Sequence, residues 1–158
     1  MVEPKEPQLR ELLAYWQNKR GPRLMPRRAD VDPIEIPHLL PHLILVDTGQ
    51  TLGEFRYRLF GTEVCKGFEH DRTGVRFSDL PRIPNYDEIY GGYWRTYVDR
   101  KPVYFHGQIV SASRDYIRYS RLTLPLSVDG EHVDMLLGGV VFSYESAERD
   151  GPGSDIRG

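Results

Sequence analysis

The sequence predicts an α+β domain: a five-stranded antiparallel sheet with a helical insert on one face and an N-terminal helix that caps the other. Three observations carry this. Two strand-like segments stand at residues 43–60, a helical and loop-rich stretch fills 61–100, and three further strand-like segments occupy 103–144. A chain of 158 residues suits one domain of ordinary size and can bury a single core.

The first element is a helix over Pro7–Arg20, where Leu9, Leu12, Leu13 and Trp16 recur at three-to-four spacing and Gly21-Pro22 closes the run. An exposed Leu/Trp stripe is unfavourable in water, so this helix is expected either to dock on its own domain or to pack against a second copy. These four residues are the expected interface of a homodimer. Prolines at 22, 26, 33, 37 and 41 then forbid a long helix and predict a surface wrap of short turns, with Asp32-Pro33 reading as a cap followed by a first-turn proline.

Residues 43–48 (LILVDT) and 54–60 (EFRYRLF) read as two strands of a hairpin turning through 49–53. Phe55, Tyr57 and Leu59 share one face of the second strand, and Arg56 and Arg58 the other. A short helix is expected over 61–69, a turn at Gly74, and a longer helix over 85–100. On the longer helix Tyr86, Tyr90, Tyr93 and Tyr97 fall on one face, which predicts an inward aromatic stripe. Gly91 and Gly92 in mid-helix point to a break, or to a close approach by another backbone or a ligand.

The remaining strands are expected at 103–112, 116–128 and 132–144, the last two joined by a tight Asp129-Gly130 turn. Val103, Phe105, Gly107 and Ile109 alternate with Tyr104, His106 and Gln108, so the first of the three is half buried. The run MLLGGVVF, by contrast, is apolar on both faces, which fits a central strand whose outer face the N-terminal helix covers. The chain thus divides into a capping or dimerising helix at 1–21, the domain proper at 22–144 and a flexible polar tail at 145–158.

Composition narrows the function classes. Apolar residues make up 39% and charged residues 28%, and the net charge of −2 supplies no basic field for nucleic acid. The sequence has no apolar run long enough to span a membrane and no secretory leader pattern, so a cytoplasmic protein is expected. A lone Cys65 excludes an internal disulfide and a cysteine zinc site.

Several side-chain groups could carry chemistry. His38 and His42, four apart, could ligate a metal with Asp47, but Pro41 interrupts the segment and two surface histidines are the plainer reading. The basic run Lys19, Arg20, Arg23, Arg27 and Arg28 could meet phosphates, although Arg27 and Arg28 are equally suited to pin the wrap through Asp30 or Asp32. Arg56, Arg58, Arg118 and Arg121 could bind an anion, but Arg118 and Arg121 point to opposite faces, so the four cannot form one patch. A structural salt bridge is the expectation for Arg58. Tyr57, Tyr90, Tyr93, Trp94 and Phe105 could line a cavity whose hydroxyls select a polar aromatic ligand, as against forming an ordinary aromatic core. His106 and His132 show no partner in the sequence, and no Ser-His-Asp or Cys-His order is supported.

The element order, strand-strand-helices-strand-strand-strand, resembles the PAS fold. RYRLFGTEVCKGFEHDRTGVRFSDL (residues 56–80) resembles the PAS pattern of a second strand, a Gly-Thr entry into a short helix, and a glycine before the next segment. LMPRRADVDPIEIPHLLPHLILVD and RLTLPLSVDGEHVDMLLGG resemble the entry and closing hairpin of a bacterial single-domain PAS-like family, formerly a domain of unknown function. The resemblance covers 12–142.

It implies a stand-alone sensory or regulatory module, not an enzyme, that acts by binding a partner protein under the control of a small ligand or of none. Light-sensing flavin members carry a reactive Cys in an Asn-Cys-Arg-Phe-Leu-Gln helix, whereas Cys65 lies in GTEVCKGFE, which disfavours a flavin adduct. Haem is disfavoured because 85–100 lacks the axial His that haem-binding members supply there. With no kinase, helix-turn-helix or cyclase region in these residues, output is expected through a separate signalling protein. The rival reading is a small cone-fold isomerase or dehydratase with an aromatic pocket, in which helices would precede most of the sheet. A nucleic-acid adaptor using the basic run is the third.

Overall fold

A computed structural model describes residues 3–110 and 116–143. The expected flexible tail and the end of the 103–112 segment lie outside the described residues. The elements are α1 (Pro7–Arg20), β1 (Leu43–Asp47), β2 (Arg56–Phe60), α2 (Thr62–Phe68), α3 (Tyr86–Asp99), β3 (Val103–Val110), β4 (Tyr116–Leu126) and β5 (Met135–Phe142). The strands form one antiparallel sheet in the order β2-β1-β5-β4-β3. α1 and the Pro-rich wrap cover one face, while α2 and α3 cover the other.

β5 is the central strand, and this explains why it is apolar on both sides. Its two faces are met from opposite directions. A Cβ on Gly139 would stand 2.8 Å from Leu12 and 2.9 Å from Leu9, so only glycine lets α1 lie this close to the sheet. On the other side a Cβ on Gly67 of α2 would run into the Phe142 ring.

Leu9, Leu12, Leu13 and Trp16 are 1, 1, 5 and 3% exposed, and the Trp16 indole N–H donates to the Pro125 carbonyl at 3.0 Å. The interface role expected of these four is therefore corrected. Their apolar surface is already buried against the chain's own strands, leaving none of the stripe to drive association with a second copy. Docking, the other outcome the sequence allowed, is the one observed. Gly21 ends α1 at φ 57°, its N–H donating to Gln17 O.

The wrap follows its sequence. Asp32 accepts from the Ile34 N–H at 3.0 Å with Pro33 opening a short 3₁₀ turn. The Asp30 carboxylate takes the Arg27 N–H at 2.8 Å and ion pairs from Arg27 and Arg23, and Lys19 pairs with Glu35 at 3.0 Å. The Arg27 N–H first, then its guanidinium and that of Arg23, lower the Asp30 pKa to about 2.

The hairpin of β1 and β2 forms where it was expected, and one turn expectation needs revision. The β1–β2 connection folds as a 3₁₀ turn over Leu52–Glu54, in which Glu54 accepts from the Gln50 N–H. The β4–β5 connection is wider than a two-residue hairpin, because the last strand pair is Leu126 with Met135. The Asp129 carboxylate instead organises a broad loop, accepting from the Glu131 and His132 N–H groups at 2.8 Å each and from the Ser127 hydroxyl at 3.1 Å.

Candidate functional site

The face of the sheet turned toward α3 carries the unusual chemistry. Along β4 the residues of one parity are Tyr119, Arg121 and Thr123, all buried. Thr123 fixes the helix above it: its hydroxyl lies 2.6 Å from that of Thr96, which also donates to Gly92 O at 2.8 Å. One step along the same row, Arg121 donates from Nη2 to the Ile89 carbonyl at 2.7 Å. A Cβ on Gly92 would stand 2.9 Å from that Nη2, whereas Gly91 faces open space. Of the readings the Gly-Gly pair allowed, the close approach is therefore the correct one; α3 runs unbroken, and Gly92 makes room for the guanidinium.

Between this face, α2 and α3 lies a cavity of about 500 Å³, within the usual range for small-molecule sites. Its aromatic walls come from β2, α2, α3 and β4, with Tyr57, Phe60, Phe68, Tyr90, Tyr93 and Tyr119 as principal contributors. Ile44 of β1, Ile89 of α3 and Val140 of β5 add aliphatic surface. The Tyr57 and Tyr93 hydroxyls are 3.2 Å apart and hydrogen bonded. Burial pushes the Tyr57 phenol well above its ordinary pKa, does the same to Tyr90, and raises Tyr119 to about 12. These groups are neutral hydroxyls at physiological pH.

Three of the five residues expected at a ligand site, Tyr57, Tyr90 and Tyr93, line this cavity. Trp94 and Phe105 do not, which is a correction. Trp94 projects about 100° around α3 from Tyr93 and packs on Phe55 and Tyr97, with ring centroids 6.0 and 5.2 Å apart. Phe105 sits opposite Arg121 in the β3–β4 register and lays its ring 4.6 Å from the guanidinium. The residue that sequence reasoning underrated is Arg121 itself. It is 3% exposed, stacked 4.1 Å from the Tyr93 ring centre, and its Nε has no hydrogen-bond partner among the described residues. Its only signal in the sequence was parity with Tyr119 and Thr123 on a strand flanked by paired neighbours.

The other sites considered resolve differently. Arg58 makes the expected salt bridge, to Asp47 at 2.9 Å on the exposed side of β2. His38 meets Glu11 at 2.6 Å and His42 lies 3.3 Å from Val140 O, and no three potential metal ligands cluster among the described residues. Cys65 lies on α2 with its thiol 3.5 Å from Phe60 O, where burial raises its pKa, and it is not among the cavity-lining residues.

His106 and His132 both have partners, contrary to the sequence reading. His132 Nδ1 lies 2.7 Å from Asp129. His106 Nδ1 lies 3.0 Å from the Ser120 hydroxyl, which donates to Glu6 at 2.5 Å while Tyr104 donates to the same carboxylate at 2.7 Å. Ser120, His106 and Glu6 are the residue types of a hydrolytic triad, but the order is wrong. With its proton given to Glu6, Ser120 can only accept from His106, the reverse of what an activated serine needs. The cluster ties the start of α1 to β3 and β4.

The sequence matches the family described as PAS domain over residues 4–141. The chain belongs to the PAS domain family. Solved structures agree at the level of the fold: the LOV protein of Rhodobacter sphaeroides superimposes with a TM-score of 0.51 at 15% identity, covering 78% of this chain and 77% of that one. A PAS domain from Colwellia psychrerythraea gives 0.52 at 7% identity, covering 71% and 97%. No curated protein matches the sequence. PAS domains are typically sensory modules and commonly mediate protein interactions. Among the described residues, no helix is long and apolar enough to cross a membrane.

Proposed function

We propose that this PAS domain is a sensory or regulatory binding module, not an enzyme, whose interior cavity holds a small ligand and whose occupancy is read by a separate protein. The observation that carries the reading is the cavity of about 500 Å³ between the sheet and α3, framed by neutral tyrosines. Its buried polar groups favour holding over catalysis: phenols whose pKa values lie far above neutrality, and a guanidinium that stays protonated, are poor proton shuttles near pH 7.

α3 is the element best placed to transmit occupancy, because it supplies cavity walls and is bound to β4 through Thr96 and through Ile89 O. A ligand pressing on Tyr90 or Tyr93 loads the same helix that these two contacts hold. The basic run gives little support to a nucleic-acid role, since Lys19, Arg23 and Arg27 are ion-paired with Glu35 and Asp30.

Native mass spectrometry of the purified protein, with an absorption spectrum, tests the reading. A bound small molecule of one mass, lost on denaturation, is the expected result. A bare protein that no member of a metabolite library stabilises against heat would overturn it.

A further inference from the structure

Nothing in the packing of the α3 face requires a positive charge, yet the guanidinium of Arg121 is buried there. Removing a charged group from water is costly unless an opposite charge or a full set of hydrogen bonds replaces the lost hydration. Arg121 has neither. Among the described residues no carboxylate pairs with it, one carbonyl accepts from Nη2, and Nε has no acceptor. Arg20, the other arginine with an unpartnered buried Nε, extends its Nη1 to surface carbonyls instead. Rings of Tyr93 and Phe105 lie 4.1 and 4.6 Å from the Arg121 Cζ, which leaves the in-plane N–H edge of the group to offer to a partner.

The surroundings point the same way. Tyr90 and Tyr119 line the cavity with hydroxyls that make no hydrogen bond among the described residues. The Tyr57–Tyr93 pair uses only one of its two protons internally. The cavity's other charged residues, Glu69 and Arg72, are of opposite sign and lie nearer the surface. The buried part of the site is therefore one fixed positive charge and several hydroxyl donors in an aromatic and aliphatic frame. Its complement is a single negative charge on an apolar body.

We propose that the cavity takes a small monocarboxylate carried on an aromatic or apolar body, with its carboxylate on Arg121 and its body among Tyr57, Tyr90, Tyr93, Phe60 and Phe68. The proposal rests on the ligand-holding reading given above and specifies its ligand class. The planar fork of a guanidinium matches a carboxylate in geometry and charge, and a desolvated pair of this kind is far stronger than a neutral hydrogen bond. A doubly charged phosphate would find only half of its charge answered by Arg121.

The test is calorimetric titration with two matched pairs, indole-3-propionate against its primary amide and 2-naphthoate against its primary amide. Each pair keeps shape and removes only the charge. For the wild-type protein, an acid should bind at least about tenfold more tightly than its amide, as expected for one charge-assisted contact replaced by a neutral one. Arg121→Gln should abolish that preference while leaving amide binding within about threefold.

Arg121→Lys, which keeps the charge but not the fork, should fall between. Where Arg121→Gln does not fold, Gly92→Ala acts on the same group from the helix side, since its Cβ would displace Nη2; it should weaken the acid and spare the amide. Equal binding of acid and amide overturns the carboxylate assignment and leaves a ligand-holding cavity standing. Binding of none of the four overturns the assigned ligand class, and the native mass spectrum then decides separately whether the cavity holds anything.

Discussion

On β5 the side of Gly139 receives Leu9 and Leu12 of α1, whereas the side of Val140 opens on the cavity under α3. The α1 side is closed by aliphatic residues and Trp16, with the one indole N–H satisfied by Pro125 O. The α3 side is lined by tyrosines, retains a cavity, and buries a guanidinium with an unpartnered nitrogen. A close-packed apolar layer maximises dispersion, so it adds stability. An aromatic layer with open volume and spare donors forgoes part of that stability, and such a layer suits a ligand. The same strands thus separate a close-packed face from a cavity-bearing one by residue parity.

This contrast can be broken or sharpened experimentally. Trp16→Ala carries the largest expected effect, about 3–5 kcal/mol of lost stability from the removed ring and the unpaired carbonyl. Its urea midpoint should fall sharply, while a folded sample should keep the acid-over-amide preference. Loss of that preference without unfolding would mean that the two faces are coupled. Thr96→Val removes one hydroxyl of the buried pair that holds α3 to β4 and should cost about 1–2 kcal/mol. Hydrogen exchange should then speed in α3 and not in α1.

Tyr93→Phe deletes the hydroxyl paired with Tyr57 and should cost about 0.5–1 kcal/mol in stability, seen as a small shift in the thermal midpoint. The smallest effect is the acid titration of Asp30. Its folded pKa of about 2 is depressed, chiefly by the Arg27 N–H, so its contribution is present above its ordinary pKa near 4 and is lost as pH falls through about 2. Wild-type and Asp30→Asn proteins should therefore differ in stability at pH 6 and converge near pH 2, as read from denaturation midpoints. Sedimentation at tens of micromolar adds a check on assembly: with the α1 stripe buried against its own sheet, a monomer is expected, and a tight dimer would need a different surface.

Sequence patterns located the two faces unevenly. The α1 stripe was legible because Leu9, Leu12, Leu13 and Trp16 obey a local 3.6-residue period, although the period could not say whether the chain's own sheet or a second copy would cover it. Tyr90 and Tyr93 were legible for the same reason, and Tyr57 from the two-residue alternation of β2. Trp94 and Phe105 were misplaced because periodicity assigns a face and not a depth, and neighbours 100° apart on a helix meet different walls. Arg121 was hidden, because an arginine on a strand ordinarily reads as solvent-facing. Its burial follows from Tyr93 of α3 and Phe105 of β3, whose rings come together over β4 only once the layers pack. The partners of His106 were equally illegible, since Glu6 precedes α1 and approaches Ser120 only after that helix docks.

The sequence by itself determined the order of the elements, the five strands and the apolar character of β5, because these depend on contacts within a few residues and on the alternation of side chains. It also carried the motifs by which the PAS domain family is recognised. Only the tertiary structure decided which strands flank β5, that the α1 stripe is consumed by its own sheet and not by a second copy, and that α3 stands off from β4 by a cavity with the buried guanidinium of Arg121 in its wall. These are distances between segments that no local pattern fixes; they arise from how Gly139, Gly92 and the tyrosine rings set the separation of the layers.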